Sequence, residues 1–257
     1  MYLNNCSIKM TLFQKPFGVT SNDFKYSLIE KNLLAKKSCY CGRLDPMARG
    51  TMLFLENEQC RTMDNFLHSK KTYEFEIIIG FSTDTDDILG IIDNTNLNYN
   101  PSLFSNLEEE IKRSKEISQQ NFHRYSSFML RKGSKRMPLW QWNKLGQLDE
   151  TDIPSKNVTV YNINVIEEKE YSLKNIVIEF KDRISLLDKR QEFRQDEIVA
   201  KWLNVLEIHP VDKMVKSVKI RTEVSSGFYI RELCNTLKQN LNFPMLIHDI
   251  NRIGVNN

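Results

Sequence analysis

Asp45 is the acid around which a reaction could be built. It lies in Gly42-Arg43-Leu44-Asp45-Pro46-Met47-Ala48-Arg49-Gly50, directly ahead of the apolar run Thr51-Met52-Leu53-Phe54-Leu55. Pro46 fixes its own φ, lacks an N–H donor and steers Asp45 away from the α region. Gly42 and Gly50 allow backbone geometry or close approach that other residues resist. An acid on a stiff loop in front of a buried strand suits a nucleophile held in one orientation. The same residues also describe an ordinary turn whose Asp bonds its own backbone, and spacing alone favours that plainer reading.

Four further stretches carry chemistry-bearing residues. Lys71-x-Tyr73 opens a strand-like run; Tyr73 is either an ordinary strand aromatic or a ring that stacks on a planar base and offers a hydroxyl for proton work. Ser225-Ser226-Gly227-Phe228-Tyr229-Ile230-Arg231 is a turn leading into a helix. Its Arg231 either pairs with a surface acid such as Glu232 or Glu223, or sets its guanidinium on a working carboxylate and orients it. Asp84, Asp86 and Asp87 are hard oxygen ligands at close spacing, which suits Mg²⁺ or, more simply, a solvated turn with caps. Arg131, Lys132, Lys135 and Arg136 cluster near Tyr125, Trp140 and Trp142. Basic residues interleaved with aromatics are the composition of phosphate contact plus base stacking, although a charge run is commonly only a solvated face.

The elements that must position these residues follow from periodicity and punctuation. Strands are expected at 10–14, 51–55, 71–80, 157–168, 173–182, 215–224 and 245–250. Helices are expected at 23–34, near 58–68, at 102–115, 195–206 and 228–240. Residues 93–101 read as an Asn-rich linker, and 121–147 as mixed aromatic and basic chain. Irregular interleaving of strands and helices favours α+β with a mixed sheet. The 257 residues allow one large domain or two small ones, and 40% hydrophobic content supports a sizeable core. A formal net charge of +3 declares no global basic field, so any nucleic-acid contact must come from local patches. Five cysteines, an odd number, without a secretory leader point to reduced thiols and a soluble, cytoplasmic protein. Cys39-x-Cys41 lacks a second pair at zinc-site spacing. No apolar run reaches membrane-spanning length.

Taken in order, these stretches resemble the TruB-type pseudouridine synthases. The family pattern runs KPxGxTS, GxLDPxAxG, KxYxxxxxxGxxTDTxDxxG, YSA, SKGTYIR and a short apolar-Arg tail. Here it is met by Lys15 to Ser21, the Asp45 loop, Lys71 to Gly90, Tyr125-Ser126-Ser127, Ser226 to Arg231, and Ile250-Asn251-Arg252. The resemblance implies one pseudouridine synthase domain over residues 1–257, α+β, with a mixed and mainly antiparallel central sheet flanked by helices and loops. It implies isomerisation of uridine in RNA, by default uridine 55 in the TΨC loop of tRNA, with no cofactor and no metal. Asp45 matches the essential aspartate, Tyr73 the tyrosine that stacks on the target base, and Arg231 the arginine paired with the nucleophile. Tyr229 and Ile250 match residues lining the uridine pocket, and Tyr40 and Arg43 stand where the target nucleotide is contacted. Lys15, Arg131, Lys132, Lys135 and Arg136 become candidate RNA backbone contacts. The expected partner is the tRNA T arm, bound by a monomer, with no membrane involved. A uridine in a folded loop must be flipped out to be reached, and aromatic walls offset the unstacking cost of a few kcal/mol.

The chain departs from the pattern in places. Tyr40 replaces the histidine usual in bacterial members, and Met129 replaces the Lys expected after Tyr125. Residues 182–213 read as an insertion carrying the 195–206 helix, and no C-terminal RNA-binding (PUA) domain is expected. Two other readings stand beside the enzyme: a non-catalytic RNA-binding or tRNA-folding protein on the same fold, and a metal-dependent nuclease built on Asp84, Asp86 and Asp87.

Overall fold

Lys70–Ile79 alternates at its start and turns wholly apolar at its end, as a strand does when it runs from a sheet's open side into its centre. The computed structural model, which describes residues 10–100, 102–191 and 193–256, places it within a seven-stranded sheet. The strands are β1 (Thr11–Lys15), β2 (Ser38–Tyr40), β3 (Ala48–Glu56), β4 (Lys70–Ile79), β5 (Val160–Ser172), β6 (Met214–Val224) and β7 (Met245–Asn256). Their order is β1-β3-β7-β4-β6-β5, and β2 also pairs with β3. Every pairing is antiparallel except that of β7 with β3. The expected mixed, mainly antiparallel sheet is present.

Helices α1 (Ser21–Glu30), α2 (Leu103–Arg113), α3 (Leu173–Ser185), α4 (Gln195–Ile208) and α5 (Ile230–Leu241) flank the sheet. Thr20 caps α1 by accepting the Asp23 N–H at 3.1 Å. The helix stops short of 34 because Asn32 takes a left-handed conformation, φ 57°. The expected strand at 173–182 is instead helix α3. Leu173, Ile176, Val177, Phe180 and Ile184 are all buried, which is the spacing of one helical face, and Ser172 caps it. The local run Ile176-Val177-Ile178 has strand composition, and packing against α4 overrides it. Trp202 of α4 meets Phe180 edge-on at 4.6 Å and Phe81 at 5.1 Å between ring centroids. The stretch 182–213 therefore holds the end of α3 and all of α4, a helical pair that returns the chain from β5 to its neighbour β6.

Smaller departures are local. Residues 57–62 form a 3₁₀ turn followed by one α turn, Asp64–Leu67, in place of one longer helix. Ile92–Thr95 is a short strand paired with Phe81–Thr83. The mixed stretch 121–147 contains a hairpin, Met129–Lys132 with Lys135–Pro138, and a short helix, Leu139–Lys144. Among the described residues no helix is long and apolar enough to cross a membrane.

The two faces of β4 divide the labour. Tyr73, Phe75, Ile77 and Ile79 share one face, and Glu74, Glu76 and Ile78 the other. Register places Arg252 and Thr222 beside Tyr73, and Ile250 and Ile220 beside Phe75. Ile250 and Arg252 thus stand on the Tyr73 face. On the opposite face a bulge between Ile247 and Asp249 releases His248 from the ladder. Its Nε2 lies 2.8 Å from Glu179, and its Nδ1 lies 3.4 Å from Glu76. Glu76 also accepts hydrogen bonds from Tyr171 at 2.8 Å and from Ser217.

Burial would raise the Glu76 pKa, but bonds from His248, Ser217 and Tyr171 outweigh it and hold the carboxyl at about 2. Burial pulls His248 down and nearby Arg183 adds to that, yet Glu179 and Glu76 together carry its pKa above the ordinary value. The depressed Glu76 stabilises the fold above about pH 4.5, and that contribution is lost as pH falls towards about 2. The raised His248 stabilises it fully below about pH 6.5, and that contribution is lost as pH rises through the folded-state value. The His248 contribution is therefore read as a difference: the excess of the wild-type urea midpoint over that of His248→Gln is expected to be larger near about pH 5 than near about pH 9. An equal difference at the two pH values would remove His248 as a pH-dependent contributor.

Candidate active site

The Asp45 loop is held from several sides by groups that the fold delivers beneath it. Ser21 Oγ donates to Leu44 O at 2.8 Å and accepts the Leu44 N–H at 2.9 Å, and Gly18 N–H donates to Pro46 O at 2.9 Å. Lys15 Nζ donates to Ala48 O at 2.6 Å and Pro16 O at 3.0 Å. Arg252, fully buried, donates from Nε to Thr51 O at 2.7 Å, from Nη1 to Arg43 O at 3.2 Å and from Nη2 to Gly42 O at 3.2 Å. Gly50 has φ +112°, and a Cβ there would overlap the Arg252 backbone, so the close β3–β7 approach requires glycine.

Lys15 is thus corrected from a candidate RNA contact to a buried prop. Only 1% of it is exposed, and its ammonium is consumed by carbonyls under the loop. Burial lowers its pKa to about 7, against the pull of nearby Asp45.

Arg231, at the start of α5, joins two carboxylates. Its Nη2 is 2.7 Å from Asp45 Oδ2 and its Nη1 3.2 Å from Asp87 Oδ2. Exposure separates the partners: the Asp87 side chain is 3% exposed and the Asp45 side chain 37%. Among the described residues Asp45 Oδ1 accepts no hydrogen bond, so one carboxylate oxygen is pinned and the other is open. Asp87 also accepts from Thr85 Oγ1 at 2.8 Å and Leu89 N–H at 2.9 Å. Burial pushes its pKa to about 6 against those stabilising contacts.

The rest of the acidic turn faces other cations. Asp86 meets His123 Nε2 at 3.2 Å and pairs with Lys238. Burial, with Arg231 nearby, lowers the His123 pKa to about 4, and its Nδ1 accepts the Tyr125 N–H at 3.2 Å. Asp84 pairs with Arg194 at 2.7 Å and accepts from Tyr125 Oη at 3.1 Å. The three acids do not converge as a magnesium ligand set. They anchor three separate parts of the chain, and the nuclease reading loses its motive.

Tyr73 is buried on β4, next to Arg252 in register, and Ile250 is buried on β7. Tyr229 sits at the N-cap of α5, clamped through its backbone by Gln120, which accepts from its N–H at 2.8 Å and donates to its O at 3.0 Å. Its ring meets Phe122 edge-on at 5.6 Å. Burial, followed by the Asp45 charge, raises its hydroxyl pKa to about 12, opposed by a Ser126 hydrogen bond. Tyr40 donates to Asn22 Oδ1 at 2.8 Å and packs edge-on to Phe54. Arg43, Arg131, Lys135 and Arg136 are exposed. Lys132 is half-buried and pairs with Asp152 at 2.6 Å while donating to Gln147 O, and Trp142 is buried, donating to Leu130 O at 3.1 Å. Asp87 and Arg252 are the working partners that residue type alone did not single out.

The model of the TruB family pseudouridylate synthase (N terminal domain) matches residues 30–183, and the chain belongs to this family. It is 37% identical over 93 residues to tRNA pseudouridine synthase B of Endomicrobium trichonymphae, covering 35% of this chain and 40% of that one. It is 26% identical over 235 residues to tRNA pseudouridine synthase B of Bacillus anthracis, covering 91% of this chain and 62% of the relative. The chain thus spans less than two thirds of either relative's length. The fold is similar to a chain in the crystal structure of a Cbf5-Nop10-Gar1 complex, with TM-score 0.50 and 16% identity over 96% of this chain and 48% of that one.

The burial asymmetry around Arg231 has an energetic consequence. Asp87→Ala would leave a buried guanidinium short of a charge partner, and is expected to destabilise by about 3–5 kcal/mol. Asp45→Ala is expected to cost much less, because its partner keeps Asp87. Arg252→Met is expected to cost on the order of 2–4 kcal/mol through three undirected carbonyls. Urea unfolding of the three variants measures the order, and equal midpoints for Asp45→Ala and Asp87→Ala would refute it.

Proposed function

We propose that the chain isomerises uridine to pseudouridine in RNA, with uridine 55 in the TΨC loop of tRNA as its substrate. The observation that supports this best is the half-pinned Asp45 carboxylate: Arg231 engages Oδ2, while Oδ1 stays open on a partly exposed residue. A nucleophile needs both an oriented and an accessible oxygen. In the reaction the N1–C1′ bond breaks, the uracil turns, and a C5–C1′ bond forms. C5 loses its proton and N1 ends with one, so atoms and electrons balance without a cofactor. Asp45 attacks the sugar C1′ or the base, and Arg231 holds it in line. Tyr73 stacks on the base, Tyr229 and Ile250 wall the pocket, and Tyr40 and Arg43 meet the nucleotide. Exposed Arg131, Lys135 and Arg136 offer contacts to backbone phosphates. The protein acts on the T arm as a cytoplasmic monomer.

Incubation with a T-arm stem-loop RNA, followed by pseudouridine mapping, tests the reading. Wild type is expected to convert the target uridine with or without chelator. Asp45→Ala is expected to lose at least about 10³-fold in turnover, as removal of a nucleophile does, while still binding the RNA. Binding by wild type without product would replace the enzyme with the RNA-binding reading.

A further inference from the structure

Lys156 is a partly buried cation with no acid partner among the described residues. It is the middle residue of the short strand Ser155–Asn157 and lies opposite Gln120 in antiparallel register. Gln120 is the residue that clamps the Tyr229 backbone, so Lys156 is carried to the same place. Its ammonium lies against Gly227, in the space that a side chain there would fill, and 6.0 Å from the Phe122 ring centroid. Gly227 has φ +78°, so the turn before α5 keeps its backbone bare at this point. Lys156 forms no ion pair or hydrogen bond with any described residue, and burial lowers its pKa. Its charge also reaches Lys71, the neighbour of Arg252 under the Asp45 loop.

An ammonium taken partly out of water normally has a counter-charge, because desolvation without one is costly. Here no described residue supplies the counter-charge, and the site lies beside Tyr229, the residue proposed to wall the uridine pocket. The family pattern places a lysine directly before this glycine, where this chain has Ser226. The cation next to the turn therefore comes from a different strand.

We infer that Lys156 and the bare Gly227 turn form a subsite for one RNA backbone phosphate flanking the flipped uridine. This rests on the RNA-modifying reading above. The phosphate supplies the missing negative charge, and Phe122 screens the contact from water. Such a contact fixes the register of the strand without reading its sequence.

The test uses the full chain and a T-arm stem-loop RNA, with affinities measured in the Asp45→Ala background so that binding is read apart from turnover. Lys156→Ala is expected to weaken binding about tenfold, in the range of a lost charge-assisted hydrogen bond. It is also expected to reduce the slope of log affinity against log salt by about 0.7–0.9, the release of one phosphate's counterions. Lys156→Arg is expected to restore both. A methylphosphonate at the flanking phosphate is expected to weaken the parent protein by the same factor and leave Lys156→Ala unaffected. Unchanged affinity and slope in Lys156→Ala, or equal methylphosphonate losses in parent and variant, would overturn the subsite. If Lys156→Ala does not fold, the methylphosphonate series on the parent and Lys156→Arg decides. No product from wild type, with the Lys156 effects intact, removes the synthase reading and leaves the subsite standing. Normal product with no Lys156 effect does the reverse. No RNA binding by the wild type removes both.

Discussion

One guanidinium bears on everything at the candidate site. Arg231 is buried between Asp45 and Asp87, and a buried charge is tolerated only where partners replace its lost water. Three separated pieces of chain must therefore meet at one point: the loop before β3, the acidic turn after β4, and the first turn of α5. Arginine suits the position because its planar fork can serve two acids at once, whereas lysine is a point charge. The unequal burial of the acids then assigns their work. Asp87 compensates charge in the interior, and Asp45 is left with an oxygen at the surface.

A second layer holds the first in place. Asp45 is positioned by its backbone, and its loop carbonyls are gathered by Lys15 and Arg252. Arg252 can do this because β7 runs between β3 and β4, parallel to one and antiparallel to the other. The bulge at His248 lies just ahead of Ile250 on the same strand, and the Glu76–His248–Glu179 cluster fastens it on the far face. The back of the sheet thus sets the strand that supports the front.

The legible parts of the molecule were those in which local chemistry and long-range packing agree. Asp45, Tyr73 and Arg231 could be singled out by type, and their order along the chain matched a family pattern. The central strands and most helices followed from periodicity. Residues 173–182 misled because a β-branched run carries strand composition while its buried positions follow helical spacing. Lys15 misled because a lysine's sequence neighbours do not show which carbonyls will surround it. Asp87 looked like one acid of three until tertiary contacts gave each a different cation. Arg252 looked like a tail residue, and only the sheet order puts it beneath the loop.

The choice between arginine and lysine around the loop has a physical logic. Burial, opposed by Asp45, brings Lys15 to about 7, and burial with the Arg252 charge brings Lys71 to about 8. Arginine cannot release its proton in a protein, so Arg231 and Arg252 keep their charge wherever they are buried. The two roles that must never lapse, pinning the acid and gathering the loop carbonyls, fall to arginines. The lysines sit beside them, close enough to feel the same charges, and can shed part of that mutual repulsion by losing protons. A chain with a formal net charge of only +3 can in this way concentrate cations at one loop. Backbone carbonyls take up the hydrogen bonds of Lys15 and Arg252 from within, whereas Lys156 has no acid partner among the described residues.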